Sequence, residues 1–194
     1  MRIVDVGAEL GARNVLCVSS DPDSGATRDK LGILLERGES HGIRVNLEFG
    51  VFTEVKTIQQ ARALLSQIDG TAAGLLVDSL HWQRSGGTLA DIESIPKRWL
   101  SYVQLCDAPV PGADPTDAAA ILTEAIDGRL PLGEGALPLR EIIERLPDGL
   151  PIAVEERSKL LRDAYPDLNE RARAVLRTSK AFLDRVTRPL ARAT

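Results

Sequence analysis

The chain has 194 residues, of which 43% are hydrophobic and 27% charged, and its formal net charge is −4. This composition is typical of a globular protein with one hydrophobic core and excludes a disordered or collagen-like chain. No run approaches ~20 apolar residues, and the N-terminus lacks a secretory-signal layout. Because the net charge is also negative, we expect a cytoplasmic protein that binds neither membranes nor nucleic acids.

Five short runs rich in β-branched and aliphatic residues predict buried strands. They cover residues 14–19, 44–49, 74–78, 99–105 and 151–155. Helical periodicity between and after them covers residues 25–40, 58–68, 88–92, 117–125, 138–146 and 168–186. Alternating strands and helices imply a parallel sheet with helices outside it, because parallel neighbours need crossover connections. We therefore predict an α/β fold in a single domain spanning residues 1–194.

The residue pattern also predicts how some helices begin and which faces they bury. Thr57 is the expected N-cap of helix 58–68, whose apolar residues recur with helical spacing. In the C-terminal helix the predicted buried stripe consists of Leu168, Ala172, Val175, Leu176, Leu183 and Val186. Residues 79–87, which follow the third strand, are predicted to form a loop.

A residue able to bind a cation or move a proton lies at the end of each of the last four predicted strands. These residues are Glu48, Asp78, Gln104 and Glu155, at intervals of 30, 26 and 51 positions. The intervals fit strands joined by βα units, each of which takes ~30 residues or more. In a (β/α) barrel the carboxyl ends of the strands meet on one face, where the active sites of barrels lie.

Three of these four residues are carboxylates, and a buried carboxylate is costly unless it is paired or coordinates a metal. Each one alone is explained as well by a structural salt bridge. Because the same placement occurs three times, a shared divalent-cation site is the better interpretation. Oxygen ligands suit Mg²⁺ or Mn²⁺, with Zn²⁺ and Co²⁺ as alternatives.

Three further residues are candidates for binding a substrate. His81 follows Asp78 by three positions and could hydrogen-bond a substrate oxygen or act as an electrophile; the alternative is a loop histidine that caps backbone groups. Arg84 and Arg129 could each bind a carboxylate or phosphate, since a guanidinium offers a bidentate match. For either arginine, a plain surface charge is the alternative.

Five segments in order along the chain resemble the sugar phosphate isomerase/epimerase family. They are residues 45–48, 76–81, 102–109, 130–135 and 152–155. The resemblance implies the xylose isomerase-like TIM barrel, with about the last five βα units present and residues 6–12 as the helix before the fourth strand. Since a complete barrel takes ~250 residues, we expect an incomplete barrel with exposed sheet edges, and hence a homo-oligomer.

The resemblance also implies one divalent metal, held by Glu48, Asp78, Gln104 and Glu155. Gln104 stands where many members of the family have histidine, and its amide oxygen favours Mn²⁺ or Mg²⁺ over Zn²⁺. By the same resemblance, Glu48 and Glu155 exchange a proton with the substrate, and His81 contacts a substrate oxygen. The loop that carries Glu134 would overhang the substrate.

The expected activity is that of a metal-dependent isomerase or epimerase acting on a small sugar, polyol or keto-sugar. A metal-bound carbonyl acidifies the neighbouring C–H group, and two glutamates remove and return the proton. One alternative is a dehydratase of the inosose or dehydroshikimate type, which would accept a carbohydrate or keto-acid. Another is an inactive binding or oligomerisation module. A histidine-rich zinc endonuclease is disfavoured, because the chain has only 2 histidines.

Overall fold

A computed structural model describes residues 2–68 and 70–187 of the protein. All five predicted strands are present within these residues. They are β1 (Asn14–Cys17), β2 (Arg44–Glu48), β3 (Ala73–Leu76), β4 (Val103–Leu105) and β5 (Ile152–Val154). The helices are α1 (Arg2–Glu9), α2 (Ser24–His41), α3 (Ile58–Leu65), α4 (Ser79–Arg84), α5 (Leu89–Glu93), α6 (Ala118–Asp127), α7 (Leu139–Arg145), α8 (Lys159–Ala164) and α9 (Leu168–Thr187), with a 3₁₀ turn at Lys97–Trp99.

The chain divides into two compact units. Unit 1 comprises the chain up to Gln104 together with Arg145–Ala153, and unit 2 comprises Leu105–Glu144 and the chain from Val154 onward. The division runs through β4 and β5, which form a two-stranded sheet. Among the described residues, no helix is both long enough and apolar enough to cross a membrane.

The core of unit 1 is the parallel sheet β1-β2-β3. Every residue of β3 is buried, and so are four of the five residues of β2. Such continuous burial is typical of a parallel sheet covered on both faces. It explains why these strands appear in the sequence as apolar runs rather than as alternating patterns.

One polar residue, Asn46, lies inside this sheet and is fully buried. Its Oδ1 accepts a hydrogen bond of 2.6 Å from the Ser101 hydroxyl, and its Nδ2 donates one of 3.1 Å to Asn14 Oδ1. Gly74 is its partner on β3. A Cβ at Gly74 would lie 2.1 Å from Asn46 Oδ1, so only glycine leaves room for the amide.

The N-cap prediction for α3 is confirmed. The Thr57 hydroxyl accepts from the Gln60 N–H, and the Gln60 side chain in turn accepts from the Thr57 N–H, which completes a capping box. The residues that α3 buries are the predicted ones, Ile58, Ala61, Leu64 and Leu65.

The prediction of a loop at residues 79–87 is wrong for its first part, because residues 79–84 form α4. The Asp78 side chain accepts hydrogen bonds from the N–H groups of Leu80 and His81, so it is the N-cap of this helix. Six helical residues are too few for a recognisable apolar period, which is why the pattern did not predict the helix. The short helix α8, capped by Ser158, was missed in the same way.

The buried face predicted for the C-terminal helix is only partly right, because Val175, Leu183 and Val186 are half-buried. Leu168 and Leu176 are 70% and 66% exposed, whereas Ala174, Ser179 and Phe182 are buried. Phe182 packs so closely on the loop before α7 that a Cβ at Gly133 would lie 2.7 Å from its ring. The most buried residues of α9 are therefore one aromatic ring and two small side chains rather than leucines.

Candidate metal centre

In unit 1, two carboxylates lie at the carboxyl ends of neighbouring strands. Glu48 is the last residue of β2 and is 9% exposed, and Asp78 follows β3 and is fully buried. Each offers a carboxylate oxygen within 4.8 Å of the other. Parallel strands that are hydrogen-bonded to each other end at the same edge of the sheet, so the two carboxylates converge there as the sequence predicts.

The start of α4 fixes the orientation of Asp78. Its Oδ1 accepts hydrogen bonds of 2.9 Å from the Leu80 N–H and 3.0 Å from the His81 N–H. His81 is 5% exposed and belongs to this same first turn. The helix that follows β3 therefore sets both the carboxylate and the imidazole.

Gln104 joins this edge through the backbone. Its N–H donates 3.0 Å to the Val77 carbonyl, and Asp78 and Gln104 form a parallel bridge. Its Oε1 is buried and has no hydrogen-bond partner among the described residues. An unsatisfied buried oxygen costs ~1–3 kcal/mol, a cost that a cation bound to this oxygen would remove. Two carboxylates and a buried amide oxygen therefore fit a divalent cation.

In unit 2, Glu155 follows β5, and its N–H donates 3.0 Å to the Leu105 carbonyl. Its Oε2 lies 3.2 Å from Nη2 of Arg129, and the two side chains are 29% and 2% exposed. Glu155 is the third carboxylate that the sequence predicts as a metal ligand.

Arg129 lies deep in unit 2. Besides the Glu155 carboxylate, its guanidinium donates 2.9 Å to the Ala125 carbonyl from Nε and 3.1 Å to Cys106 Sγ from Nη1. No pattern in the sequence predicted this burial. The substrate-binding role suggested for Arg129 stays a prediction, whereas its contact with Glu155 is a feature of the structure.

The other two predicted binding residues are more accessible. Arg84 is half-buried at the end of α4, and its Nη1 donates to the neighbouring Gln83 side chain. Glu134 is exposed in the loop between α6 and α7. Asp107 fastens this loop, because it accepts 3.0 Å hydrogen bonds from the N–H groups of Gly133 and Leu137.

Two titratable groups near the strand ends have shifted pKa values. Burial, with a smaller contribution from the Glu48 charge, raises the pKa of Cys17 to about 12, so this thiol stays protonated. Burial, reinforced by the Glu134 charge, raises the pKa of Glu156 to about 7. Sequence reasoning missed Glu156, which directly follows Glu155.

Parallel strands joined by helices, with acidic residues at the strand ends, define a (β/α)-type protein with a candidate metal centre. A model of the xylose isomerase-like TIM barrel family matches residues 1–181. The chain therefore belongs to this family and covers part of the barrel, as the resemblance implied.

Curated and solved relatives agree with this family. The 3-dehydroshikimate dehydratase of Pseudomonas putida is 32% identical in an alignment of 119 residues that covers 58% of this chain and 19% of that protein. Among solved structures, the IolI protein with a bound zinc atom has a TM-score of 0.75 at 19% identity, over 95% of this chain and 66% of that one. D-Psicose 3-epimerase of Clostridium cellulolyticum H10, solved with D-tagatose, has a TM-score of 0.67 at 15% identity, over 94% and 68%.

These matches cover only part of the length of each relative. The matched stretch spans about a fifth of the dehydratase, and the chain spans about two thirds of the IolI chain. At these identities the solved structures show the shared fold. The named relatives are a dehydratase in sequence and an epimerase in fold.

Proposed function

We propose that this chain supplies the metal-binding strand ends of an isomerase or epimerase that acts on a small sugar, polyol or keto-sugar. The observation that carries the proposal is the buried Oε1 of Gln104, which has no hydrogen-bond partner among the described residues and lies on the edge occupied by Asp78. The ligands of one divalent cation would be Glu48, Asp78, Gln104 and Glu155.

The donor set supports Mn²⁺ or Mg²⁺, because all four side chains offer oxygen. Zn²⁺ and Co²⁺ remain alternatives, and the related IolI protein binds zinc. When bound, the cation polarises a substrate carbonyl and so acidifies the C–H group beside it.

The chain's own residues move the proton and hold the substrate. Glu48 and Glu155 are the proposed proton-transfer pair, one removing the proton and the other returning it. Arg129 fixes the Glu155 carboxylate through its 3.2 Å contact with Oε2. His81, held in the first turn of α4, would donate a hydrogen bond to a substrate oxygen, with Arg84 and Glu134 as further substrate contacts.

A dehydratase is the second candidate, supported by the 32% identity with 3-dehydroshikimate dehydratase. The first step would be the same removal of a proton beside the carbonyl. The electron pair left on carbon would then form a C=C bond as the β-hydroxyl group leaves, and that group would take up a proton and depart as water.

Metal binding is tested by calorimetric titration with Mn²⁺. We expect saturable 1:1 binding by the wild type and none by the double variant Asp78→Asn, Glu155→Gln. Glu54→Gln removes an exposed carboxylate of unit 1 and is the matched control, with unchanged binding expected. Equal Mn²⁺ affinity of the double variant and the wild type would refute the metal centre.

The reaction is tested in D₂O with a panel of ketoses, inososes and 3-dehydroshikimate, with and without Mn²⁺. Mn²⁺-dependent entry of deuterium next to the carbonyl supports the isomerase or epimerase. A new C=C bond selects the dehydratase. Metal binding without exchange into any compound favours a chain that binds metal but needs further segments for turnover.

A further inference from the structure

Phe52 is an exposed aromatic residue on the loop that follows β2. The residue is 46% exposed although its side chain is large and apolar. It comes four positions after Glu48, so it lies at the carboxyl edge of the sheet. Loops at this edge carry the binding residues of (β/α) proteins.

Hydrogen bonds between residues before and after Phe52 in the chain hold its loop in place. The Gly50 N–H donates 3.0 Å to the Val55 carbonyl, and the Thr53 N–H donates 2.8 Å back to the Gly50 carbonyl. The buried Thr53 hydroxyl also bonds the Val55 carbonyl at 2.7 Å. An aromatic side chain on a preorganised loop loses little conformational freedom when it binds a ligand.

The Phe52 ring contacts the imidazole of His81. The two ring centroids are 5.0 Å apart and the planes meet at 80°, an edge-to-face arrangement. The Gly50 backbone also approaches this imidazole, since a Cβ at Gly50 would lie 3.4 Å from His81 Cγ. Phe52 thus places an apolar surface directly beside a buried polar group that follows Asp78.

We propose that Phe52 is a substrate-binding platform that selects cyclic over open-chain compounds. This inference rests on the proposed function and narrows its substrate class. A keto-pyranose, an inosose or a cyclohexene keto-acid carries its carbonyl in a ring and presents C–H groups on one ring face. These groups pack on the electron-rich face of an aromatic ring. An open-chain ketose has no such face. Binding sites commonly pair an aromatic wall with a few polar groups, here Phe52 with His81.

The test compares two probes on the Mg²⁺-loaded full chain by saturation-transfer NMR titration. The cyclic probe is scyllo-inosose, and the open-chain probe is L-erythrulose, which is too short to close into a furanose or pyranose. Phe52→Ala is expected to weaken scyllo-inosose binding about 10-fold and to leave L-erythrulose binding unchanged. Phe52→Trp, which keeps an aromatic face, should retain the wild-type affinity.

Leu10→Ala is the control, because it removes an apolar side chain of unit 1 that is 80% exposed. It should change neither affinity. Equal scyllo-inosose binding by the wild type and Phe52→Ala, or no binding by the wild type, overturns the platform. If a turnover substrate is found, a fall in kcat at constant KM in Phe52→Ala overturns it as well, because Phe52 would then only position His81.

Metal titration of the same samples separates the two proposals. Phe52-dependent binding of scyllo-inosose by a protein that takes up no Mg²⁺ or Mn²⁺ would refute the metal centre and support the platform. Metal binding together with Phe52-independent probe binding would support the metal centre and refute the platform.

Discussion

Units 1 and 2 hold their strand-end carboxylates in different ways. In unit 1, Glu48 and Asp78 are 9% and 0% exposed, and backbone N–H groups at the start of α4 orient Asp78. In unit 2, the Glu155 side chain is 29% exposed and faces the guanidinium of Arg129. Deep burial concentrates negative potential that suits a cation, whereas pairing with arginine orients a carboxylate and compensates its charge.

The surrounding strands differ in the same sense. All residues of β3 are buried, while those of β5 are only partly buried. Unit 1 thus places its polar residues at the ends of buried apolar strands. Unit 2 depends more on specific polar contacts to orient Glu155. Four substitutions test this contrast, in order of decreasing expected effect.

Replacement of Asp78 has the largest expected effect. Asp78→Asn keeps an oxygen that can cap α4 but removes the charge, so we expect Mn²⁺ affinity to fall by ~1,000-fold (~4 kcal/mol), more than the 10–100-fold typical of an outer contact. Asp78→Ala should also lower the free energy of unfolding by ~1 kcal/mol through loss of the cap. Calorimetry and urea denaturation measure the two effects. Equal stability of both variants would contradict the capping role.

Gly74→Ala tests the packing inside the sheet of unit 1. The new Cβ would lie 2.1 Å from Asn46 Oδ1, so we expect the free energy of unfolding to fall by ~3 kcal/mol in urea denaturation. Gly32→Ala in α2 is the control, because its Cβ meets no described atom within 4 Å. That substitution should stabilise the protein by up to ~1 kcal/mol. Similar effects of the two changes would contradict the packing argument.

Arg129→Met tests the polar contact of unit 2. Removing one partner of a buried ion pair costs ~3–5 kcal/mol, and we expect ~2 kcal/mol here because solvent screens the 29%-exposed Glu155. The additional change Glu155→Gln should recover part of this loss. A double-mutant cycle in urea measures the coupling, and additive effects would show that the pair does not contribute.

Glu39→Gln has the smallest expected effect and tests how the stability of the fold depends on pH. Hydrogen bonds from Thr71 and Ala72 hold the pKa of Glu39 below its usual value of 4.5. The stabilisation is therefore present above pH 4.5 and is lost as the pH falls through the lower pKa of the folded state. Urea midpoints at pH 6 and pH 3 should differ less in the variant than in the wild type. An identical pH dependence would contradict the shift.

The sequence predicted most of the fold because the signals involved are local. Short aliphatic runs indicate buried strands wherever they occur, and Thr57 caps α3 through a residue only three positions away. It did not predict α4, since six residues carry no readable period. It misjudged part of α9, since the close packing of Phe182 on the Gly133 loop is a tertiary contact that helical periodicity does not contain.

By itself, the sequence determined the order of the five strands and the acidic or amide residue at or near the carboxyl end of each of the last four. An aliphatic run and the polar residue that follows it are adjacent in the chain, so the sequence alone shows both. Only the tertiary structure decided that Arg129 faces Glu155, that Gly74 makes room for Asn46 and that Phe52 lies against His81. Each of these contacts joins residues more than twenty positions apart, and its energy depends on distances that no local pattern contains.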